Sequence, residues 1–485
     1  MMSQSDLSGA IKSARDTMRK DAGLNGDLDR IPQLAWLLFL RAFDAVEQER
    51  EVLESKYEPA IAAPYRWRDW AADPLGGRTG EELLTFVNAD LIPYLRRLEG
   101  SGKDDPRDTI AEVFKETHNR MLSGYLLRDV VDQVNKVDFA STDDIHTMAH
   151  LYESMLRQMR DVAGDSGEFY TPRPVIRFIV EQVGPQLGES ILDPAAGTGG
   201  FLVEAYEHLR PQVGSVKELQ RLEADLRGIE KKPLPYLLGM MNLLLHGIQR
   251  PAIVRQNALT EVQVAKRDRV EVILTNPPFG GEEEKGIQSN FPAATRTAET
   301  AWLFLQLVVR RLKDGGRCGI VVPNSVLFAG GVGARIKEQL LTQCDLHTIV
   351  RLPDGVFAPY TDIPTNLLFF EKTGRTKEVW FYEQPLPEGR RKYSKTNPLK
   401  YDEFAGCEKW WGGSAREGRQ ENERAWRVPI ADIEQNNFNL DLSNPHGPDD
   451  LAHTAPEQLV ARLLESEERI TSQLRELESL VHGLR

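Results

Sequence analysis

The run Asn276, Pro277, Pro278 and Phe279, which follows the apolar stretch 270–274, has the residue types needed to hold an exocyclic amine. The Asn276 amide offers a carbonyl oxygen, and the prolines stiffen the backbone and carry no N–H, so neighbouring carbonyl groups can accept hydrogens from a guest amino group. Phe279 presents a ring on which a flat heterocycle can stack. The alternative for this run alone is a strand that ends in a Pro-Pro turn.

A second motif, residues 193–201, follows the apolar residues 190–192. Its candidate ligand-site residues are Asp193, Ala195, Ala196, Gly197, Thr198, Gly199 and Gly200. Small residues at a strand-to-helix turn let a ligand approach the backbone, and the helix start presents free N–H groups. A Gly-rich turn alone could equally bind a dinucleotide. The Asp-Pro beginning differs from the GxGxxG pyrophosphate loop, however, and a carboxylate suits a cationic amine better than a phosphate.

Two further segments bear on the same chemistry. Glu230 ends the strand-like run 228–230, where an acid commonly accepts hydrogen bonds from ribose hydroxyls; a surface glutamate is the alternative. The segment 167–174 has two aromatic residues and two prolines before a predicted helix. It could form a lid over an adenosine with a methionine tail, or it is simply a helix entry with proline in the first turn.

The elements that must position these residues fall into three regions. Residues 1–160 are predicted to be helical, with helices at 82–98, 109–127 and from a cap cluster at 141–144 to about 160. One helix face is predicted to be core and carries Trp36, Phe39, Leu40 and Phe43. Apolar runs that predict strands lie at 190–192, 227–229, 252–254, 270–274, 318–322, 347–351 and 366–370. Alternation of these runs with helices predicts an open, largely parallel sheet that binds ligands beyond the carboxyl ends of its strands.

Beyond residue 375 the chain is polar and rich in turns, and it ends in a predicted long helix. A heptad seam runs along this helix through Val460, Leu463, Glu467, Ile470, Leu474, Leu477 and Val481. A narrow seam at a chain end favours pairing with another helix, from a partner or from the body. An intramolecular amphipathic helix is the alternative.

Composition narrows the class of protein. The formal net charge of -13 excludes a surface that is basic throughout, so any nucleic-acid contact must be local or shared with a more basic partner. The three cysteines lack zinc or disulfide spacing, which indicates reduced thiols. The charged N-terminus and the lack of a long apolar run predict a cytoplasmic protein with no membrane contact.

The segments 167–174, 193–201 and 276–279, in this order, resemble the adenine-N6 DNA methyltransferases, most closely the modification subunit of type I restriction–modification systems. The likeness covers nearly the whole chain and includes the stretch 231–248. It implies an α/β fold with a Rossmann-like S-adenosylmethionine-dependent methyltransferase core at residues 161–375. It also implies a helical N-terminal domain for DNA or partner contacts at 1–160, and a region at 376–485 whose heptad helix serves subunit assembly.

The same resemblance implies roles for individual residues. S-adenosylmethionine is the implied cofactor, bordered by Glu168, Phe169, Tyr170, Thr171, Pro172 and Arg173. Asp193 would lie near its amino group, residues 195–200 beneath it, and Glu230 at its ribose. Asn257 matches the position that contacts the adenine ring of the donor, where family members often have Asp. The residues 276–279 would hold the target adenine, in a mechanism that needs no metal.

Several implied partners and alternatives follow. The resemblance implies double-stranded DNA, a specificity subunit that binds two copies of this chain, and an ATP-dependent restriction subunit in a bacterial or archaeal cell. A protein glutamine-amide methyltransferase could use the same four-residue device, and a non-catalytic assembly scaffold could retain the fold. The loop 280–300 is predicted to be polar and mobile. The segment 360–366 is a candidate neighbour of the target base.

Overall fold

The structure, a computed structural model, describes residues 4–446 except positions 54–56, 74–76, 102–104, 138, 140–151, 153–155, 157–170, 262, 359–360 and 362. Several predicted features lie outside the described residues: Glu168, Phe169, Tyr170, the cap cluster 141–144, Tyr360, Asp362 and the heptad helix.

The N-terminal region is helical, as predicted. Its described helices are α1 (Gln4–Met18), α2 (Asp27–Leu53), α3 (Trp67–Trp70), α4 (Gly80–Thr85), α5 (Ile92–Arg96), α6 (Pro106–Phe114) and α7 (Gly124–Asn135), with a π-helical turn at Phe86–Leu91. Trp36, Phe39 and Leu40 of α2 are buried, and Phe43 packs against the same cluster. The prediction that this face is core is confirmed.

The predicted helix 109–127 is wrong at its centre, where α6 ends and α7 begins. The Asp21 carboxylate accepts hydrogen bonds from the backbone N–H groups of Leu122 and Ser123. The Ser123 hydroxyl in turn accepts from the N–H of Leu126 and so caps α7. These side chains satisfy backbone donors that a continuous helix would have used itself, and the chain turns between the two helices.

The rest of the described chain is built on one sheet. Its strands are β1 (Ile191–Asp193), β2 (Leu226–Glu230), β3 (Ala252–Arg255), β4 (Val270–Thr275), β5 (Leu312–Pro323), β6 (Asp345–Arg351), β7 (Thr365–Glu371), β8 (Glu378–Glu383) and β9 (Ala425–Pro429). Their order is β3-β2-β1-β4-β5-β7-β6-β8-β9, with β7 antiparallel to both neighbours and β9 antiparallel to β8. The predicted open, largely parallel sheet is confirmed. Strands β8 and β9 were not predicted, and they continue the sheet beyond residue 375.

Helices cover both faces of the sheet. They are α8 (Arg173–Val183), α9 (Gly200–Leu209), α10 (Val216–Asp225), α11 (Pro233–Leu245), α12 (Lys285–Gln288), α13 (Thr300–Arg311), α14 (Ser325–Phe328), α15 (Val332–Gln343), α16 (Ala405–Trp411) and α17 (Ile430–Gln435). Helices α13 and α15 enclose one core cluster. Helices α8, α9 and α11 share the other cluster with the N-terminal helices, and α2 packs directly on α11. The N-terminal region is therefore continuous with one face of the sheet.

Two general predictions can be checked against the described residues. Cys318, Cys344 and Cys407 are buried free thiols, and burial raises the pKa of each. Within the described parts of the chain, no helix combines the length and apolar character needed to cross a membrane.

Leu38→Ala tests the shared core. Leu38 is 0% exposed in α2, whereas Leu53 at the end of the same helix is 74% exposed. We expect Leu38→Ala to lower the free energy of unfolding by about 2–5 kcal/mol, since a buried cavity remains. Leu53→Ala, the matched control, should change it by about 0.5 kcal/mol or less. Urea denaturation measures both, and equal effects would contradict the shared core.

Candidate active site

A cavity lies at the carboxyl ends of β1, β2, β3 and β4. The predicted site residues on its wall are Thr171, Arg173, Asp193, Ala195, Ala196, Gly197, Thr198, Gly200, Glu230, Asn257, Asn276 and Pro278. Pro172, Gly199, Pro277 and Phe279 are adjacent in sequence but are not wall residues. Parallel strands bring their carboxyl ends to one edge, which is why segments distant in sequence meet here.

The floor of the cavity is the turn between β1 and α9. Gly197 and Gly199 have φ values of +52° and +75°, in the left-handed region that favours glycine. A Cβ at Gly199 would lie 2.4 Å from the Cδ1 atom of Leu243 in α11. The Asn242 side chain also donates a 2.9 Å hydrogen bond to the Thr198 carbonyl. The turn therefore packs closely against α11 on the side away from the cavity. A side chain at Gly199 would push the turn away from α11.

Two buried acids, Asp193 and Glu230, end adjacent strands at this floor. Asp193 Oδ1 accepts hydrogen bonds from the Thr275 hydroxyl at 2.8 Å and the Ala195 N–H at 3.0 Å. Burial nevertheless raises the pKa of Asp193 to about 7. Glu230 accepts from the backbone N–H groups of Gly197 at 2.9 Å and Lys232 at 2.7 Å, and burial raises its pKa as well. These carboxylates are poorly solvated, so a hydroxyl-bearing or cationic guest would stabilise their ionised forms.

Asn276 is held by one end of its amide. Its Nδ2 atom donates a 2.9 Å hydrogen bond to the Thr171 hydroxyl. Its Oδ1 atom is buried and accepts no hydrogen bond within the described structure. Leaving a buried acceptor unsatisfied costs about 1–3 kcal/mol. The arrangement therefore presents an oriented carbonyl oxygen on the cavity wall, ready for a guest N–H.

Two neighbours frame this amide. The Arg173 guanidinium donates a 3.0 Å hydrogen bond to the Gly200 carbonyl, which ties the start of α8 to the floor. The partly buried Phe279 ring meets Phe357 edge-on, with ring centroids 6.1 Å apart and an interplanar angle of 67°. The ring of Phe279 is thereby fixed beside the proline pair.

Some wall residues were not predicted from the sequence: Ile176, Pro194, Phe201, Ile229, Lys231, Lys232, Gln256, Ala258, Glu283 and Phe304. Most of these residues are next to predicted residues or lie one helical turn away from them. Their closeness in sequence to the predicted residues could therefore have identified them. Glu283 and Phe304 carried no such signal.

The segment 280–300 differs from the expected mobile loop. Phe291 and Thr295 are buried, and the Glu283 N–H donates a 2.9 Å hydrogen bond to the Ala298 carbonyl. The Glu283 carboxylate accepts hydrogen bonds from Lys231 Nζ at 3.1 and 3.2 Å and from Asn257 Nδ2 at 3.0 Å. This segment is anchored over the cavity rather than loose.

The segment 360–366 contributes nothing to this wall among its described residues. Asn366 in β7 instead donates a 3.1 Å hydrogen bond to Asn324 and lines a separate cavity with Arg351.

Asp193→Asn tests the burial of this acid. Asp193 ionises above 3.8 in the unfolded chain but only above about 7 in the folded one, so the stability that its bound proton contributes is lost as pH rises through that window. The free energy of unfolding of Asp193→Asn, relative to that of the wild type, should therefore rise by about 1.4 kcal/mol per pH unit between pH 5 and 7. Urea denaturation at several pH values measures this difference. Glu284→Gln, at an exposed acid, is the control, and a pH-independent difference for Asp193→Asn would contradict the assignment.

Comparisons with known proteins agree with one another. The model of the N-6 DNA Methylase family matches residues 143–454, and that of the HsdM N-terminal domain matches residues 7–134. The chain is 48% identical to the type I restriction enzyme EcoEI methylase subunit of Escherichia coli, over 94% of each sequence. It is 29% identical to the EcoKI methylase subunit of Escherichia coli strain K12, over 90% of this chain and 82% of that one.

Solved structures show the same likeness. A modification subunit assigned to a type I restriction enzyme of Vibrio vulnificus YJ016 superposes with a TM-score of 0.83 at 53% identity, over 93% of this chain and 99% of that chain. A chain from a structural study of assembly and conformational transition of the type I R-M system gives a TM-score of 0.83 at 43% identity, over 100% of both chains.

Proposed function

The chain belongs to the N-6 DNA methylase family, as the methylase subunit of a type I restriction–modification system, and from this premise we propose how its cavity serves adenine-N6 methylation of DNA. The observation that carries the proposal is the buried Asn276 oxygen without a hydrogen to accept. Because the chain belongs to this family, we reject the alternative that it methylates a protein glutamine amide. The retention of Asn276 and Glu230 in one cavity argues against a scaffold.

The cavity has the features that S-adenosylmethionine requires. This donor supplies a methyl group on a sulfonium, which is open to attack by a nucleophile. Residues 195–200 allow close approach to the backbone. Asp193 pairs with the amino group, and Glu230, with lone pairs beyond those used by Gly197 and Lys232, accepts ribose hydroxyls. The segment made of Glu168, Phe169, Tyr170, Thr171, Pro172 and Arg173 borders the donor, and Asn257 lies toward its adenine.

The residues 276–279 hold the target base. The adenine N6 lone pair is delocalised into the ring and is a poor nucleophile. When Asn276 Oδ1 and the Pro277 carbonyl accept both N6 hydrogens, the nitrogen moves toward tetrahedral geometry and its lone pair becomes available. Positioning and preorganised dipoles then supply the catalysis. Flipping the base costs a few kcal/mol, and stacking on Phe279 offsets about 1–3 kcal/mol of it.

Sequence recognition requires a partner. The formal net charge of -13 leaves little basic surface for duplex DNA. We propose that a separate specificity subunit reads the DNA, that two copies of this chain bind it, and that an ATP-dependent restriction subunit can join. In this arrangement residues 1–160 contact DNA or partners, and the region from 161, whose sheet extends through β8 and β9 past the predicted limit of 375, forms the catalytic core. The heptad helix within 376–485 serves assembly.

Asn276→Ala tests the amide. The variant should bind S-adenosylhomocysteine, the demethylated donor, within about threefold of wild type, since the donor-side acids are intact. Methyl transfer to DNA by the complex with the specificity subunit should fall about 100-fold or more, because a preorganised polar group is lost. Calorimetry and labelled-methyl incorporation measure the two. Asn397→Ala, at an exposed asparagine, is the control. Near-normal turnover of Asn276→Ala would refute the role.

The heptad seam has its own test. Leu463→Asp combined with Leu474→Asp should reduce co-purification of the specificity subunit at least about tenfold, because charges enter an apolar seam. Ser466→Asp combined with Ser472→Asp adds the same charge off the seam and should leave co-purification intact. A quantitative pull-down decides between them, and equal behaviour of the two pairs would exclude assembly through this seam.

A further inference from the structure

Glu283 is a buried carboxylate on the cavity wall, delivered by the segment that follows the proline pair. It is 9% exposed, while its neighbours Glu282 and Glu284 are exposed. A carboxylate is buried at considerable cost unless it is paired and hydrogen-bonded. Lys231 and Asn257 supply that pairing from the ends of β2 and β3. The carboxylate is therefore held in place at the point where β2, β3 and the segment 280–300 meet.

Asn257 already uses one of the two lone pairs of its amide oxygen within its own turn. Its Oδ1 atom accepts a 3.0 Å hydrogen bond from the Leu259 N–H, which caps the turn after β3. Its Nδ2 atom donates to Glu283. The amide therefore turns its carbonyl oxygen toward its own backbone and its nitrogen toward Glu283. An exocyclic amine in the cavity needs an acceptor, and Asn257 is poorly arranged to be one.

Glu283 does have acceptor capacity. Its two oxygens offer about four lone-pair sites, of which Lys231 and Asn257 occupy up to three. We propose, on the basis of the donor site proposed above, that Glu283 accepts a hydrogen from the adenine amino group of the donor. Asn257 and Lys231 are positioning residues that hold the carboxylate in place. The segment 280–300, which directly follows the target-base residues 276–279, thus also recognises the adenine of the donor.

Base discrimination tests this assignment independently of catalysis. The probes are S-adenosylhomocysteine and S-inosylhomocysteine, in which an oxo group replaces the amine. A carboxylate accepts from the amine but repels the oxo group, so the full-length wild type should prefer the amine by about 10- to 100-fold. Glu283→Gln offers an N–H to the oxo group, and the preference should shrink to about threefold or less. Calorimetry measures both affinities, and Glu284→Gln should keep the wild-type ratio.

The outcomes separate the two proposals. A wild type that binds both probes equally, or a folded Glu283→Gln that keeps the full preference, overturns the role of Glu283. A wild type that binds neither probe, alone or with its specificity subunit, overturns the donor site itself. Thermal unfolding checks that the variant folds. If it does not, Glu283→Asp keeps the carboxylate but withdraws it by one methylene; a lower affinity for S-adenosylhomocysteine with a smaller preference supports the role, and an unchanged preference overturns it.

Discussion

The Asn276 side chain is fixed through its nitrogen and open at its oxygen, and most of the site follows from that asymmetry. Thr171, at the entry to α8, accepts from the nitrogen. Arg173 ties the same helix start to the floor of the cavity. Strand β4 carries the amide to the sheet edge, and the following prolines keep the backbone from competing for the oxygen. Buried acceptors without a partner are uncommon in folded proteins, so this oxygen is available to a ligand.

The electrostatics of the cavity are determined by its buried carboxyl groups. Asp193, Glu230 and Glu283 are buried acids on a single wall, and burial raises the pKa values of the first two. Three desolvated carboxylates are unfavourable without compensation. Backbone N–H groups and Lys231 provide part of it. In the donor site proposed above, a guest with an ammonium group, hydroxyls and an aromatic amine provides the remainder, so these acids select for the chemistry of the ligand.

The sequence was most informative where strands end. Asp193, Glu230 and Asn276 were predictable because polar residues after apolar runs meet at one edge of a parallel sheet, whereas Asn257 was implied by the family resemblance. It was least informative where tertiary contacts decide. Glu283 is indistinguishable in sequence from its exposed neighbours, since its position depends on tertiary hydrogen bonds with Lys231 and Asn257. The break between α6 and α7 depends on Asp21, about a hundred residues away. Strands β8 and β9 were hidden because their apolar residues lie among polar turns and meet only through pairing.

The apolar continuity between the N-terminal helices and the sheet has a practical consequence. Helix α11 begins three residues after Glu230, and its outer surface is covered by α2. Arg255, two residues before Asn257, pairs with Glu112 of α6 and with Glu116 just beyond the end of that helix. Removal of the first 135 residues would expose the apolar surface of α11 to solvent. It would also leave the Arg255 guanidinium without these two carboxylates. An enzyme shortened in this way would aggregate through the exposed apolar surface. Any truncated version must therefore first carry polar substitutions on that surface.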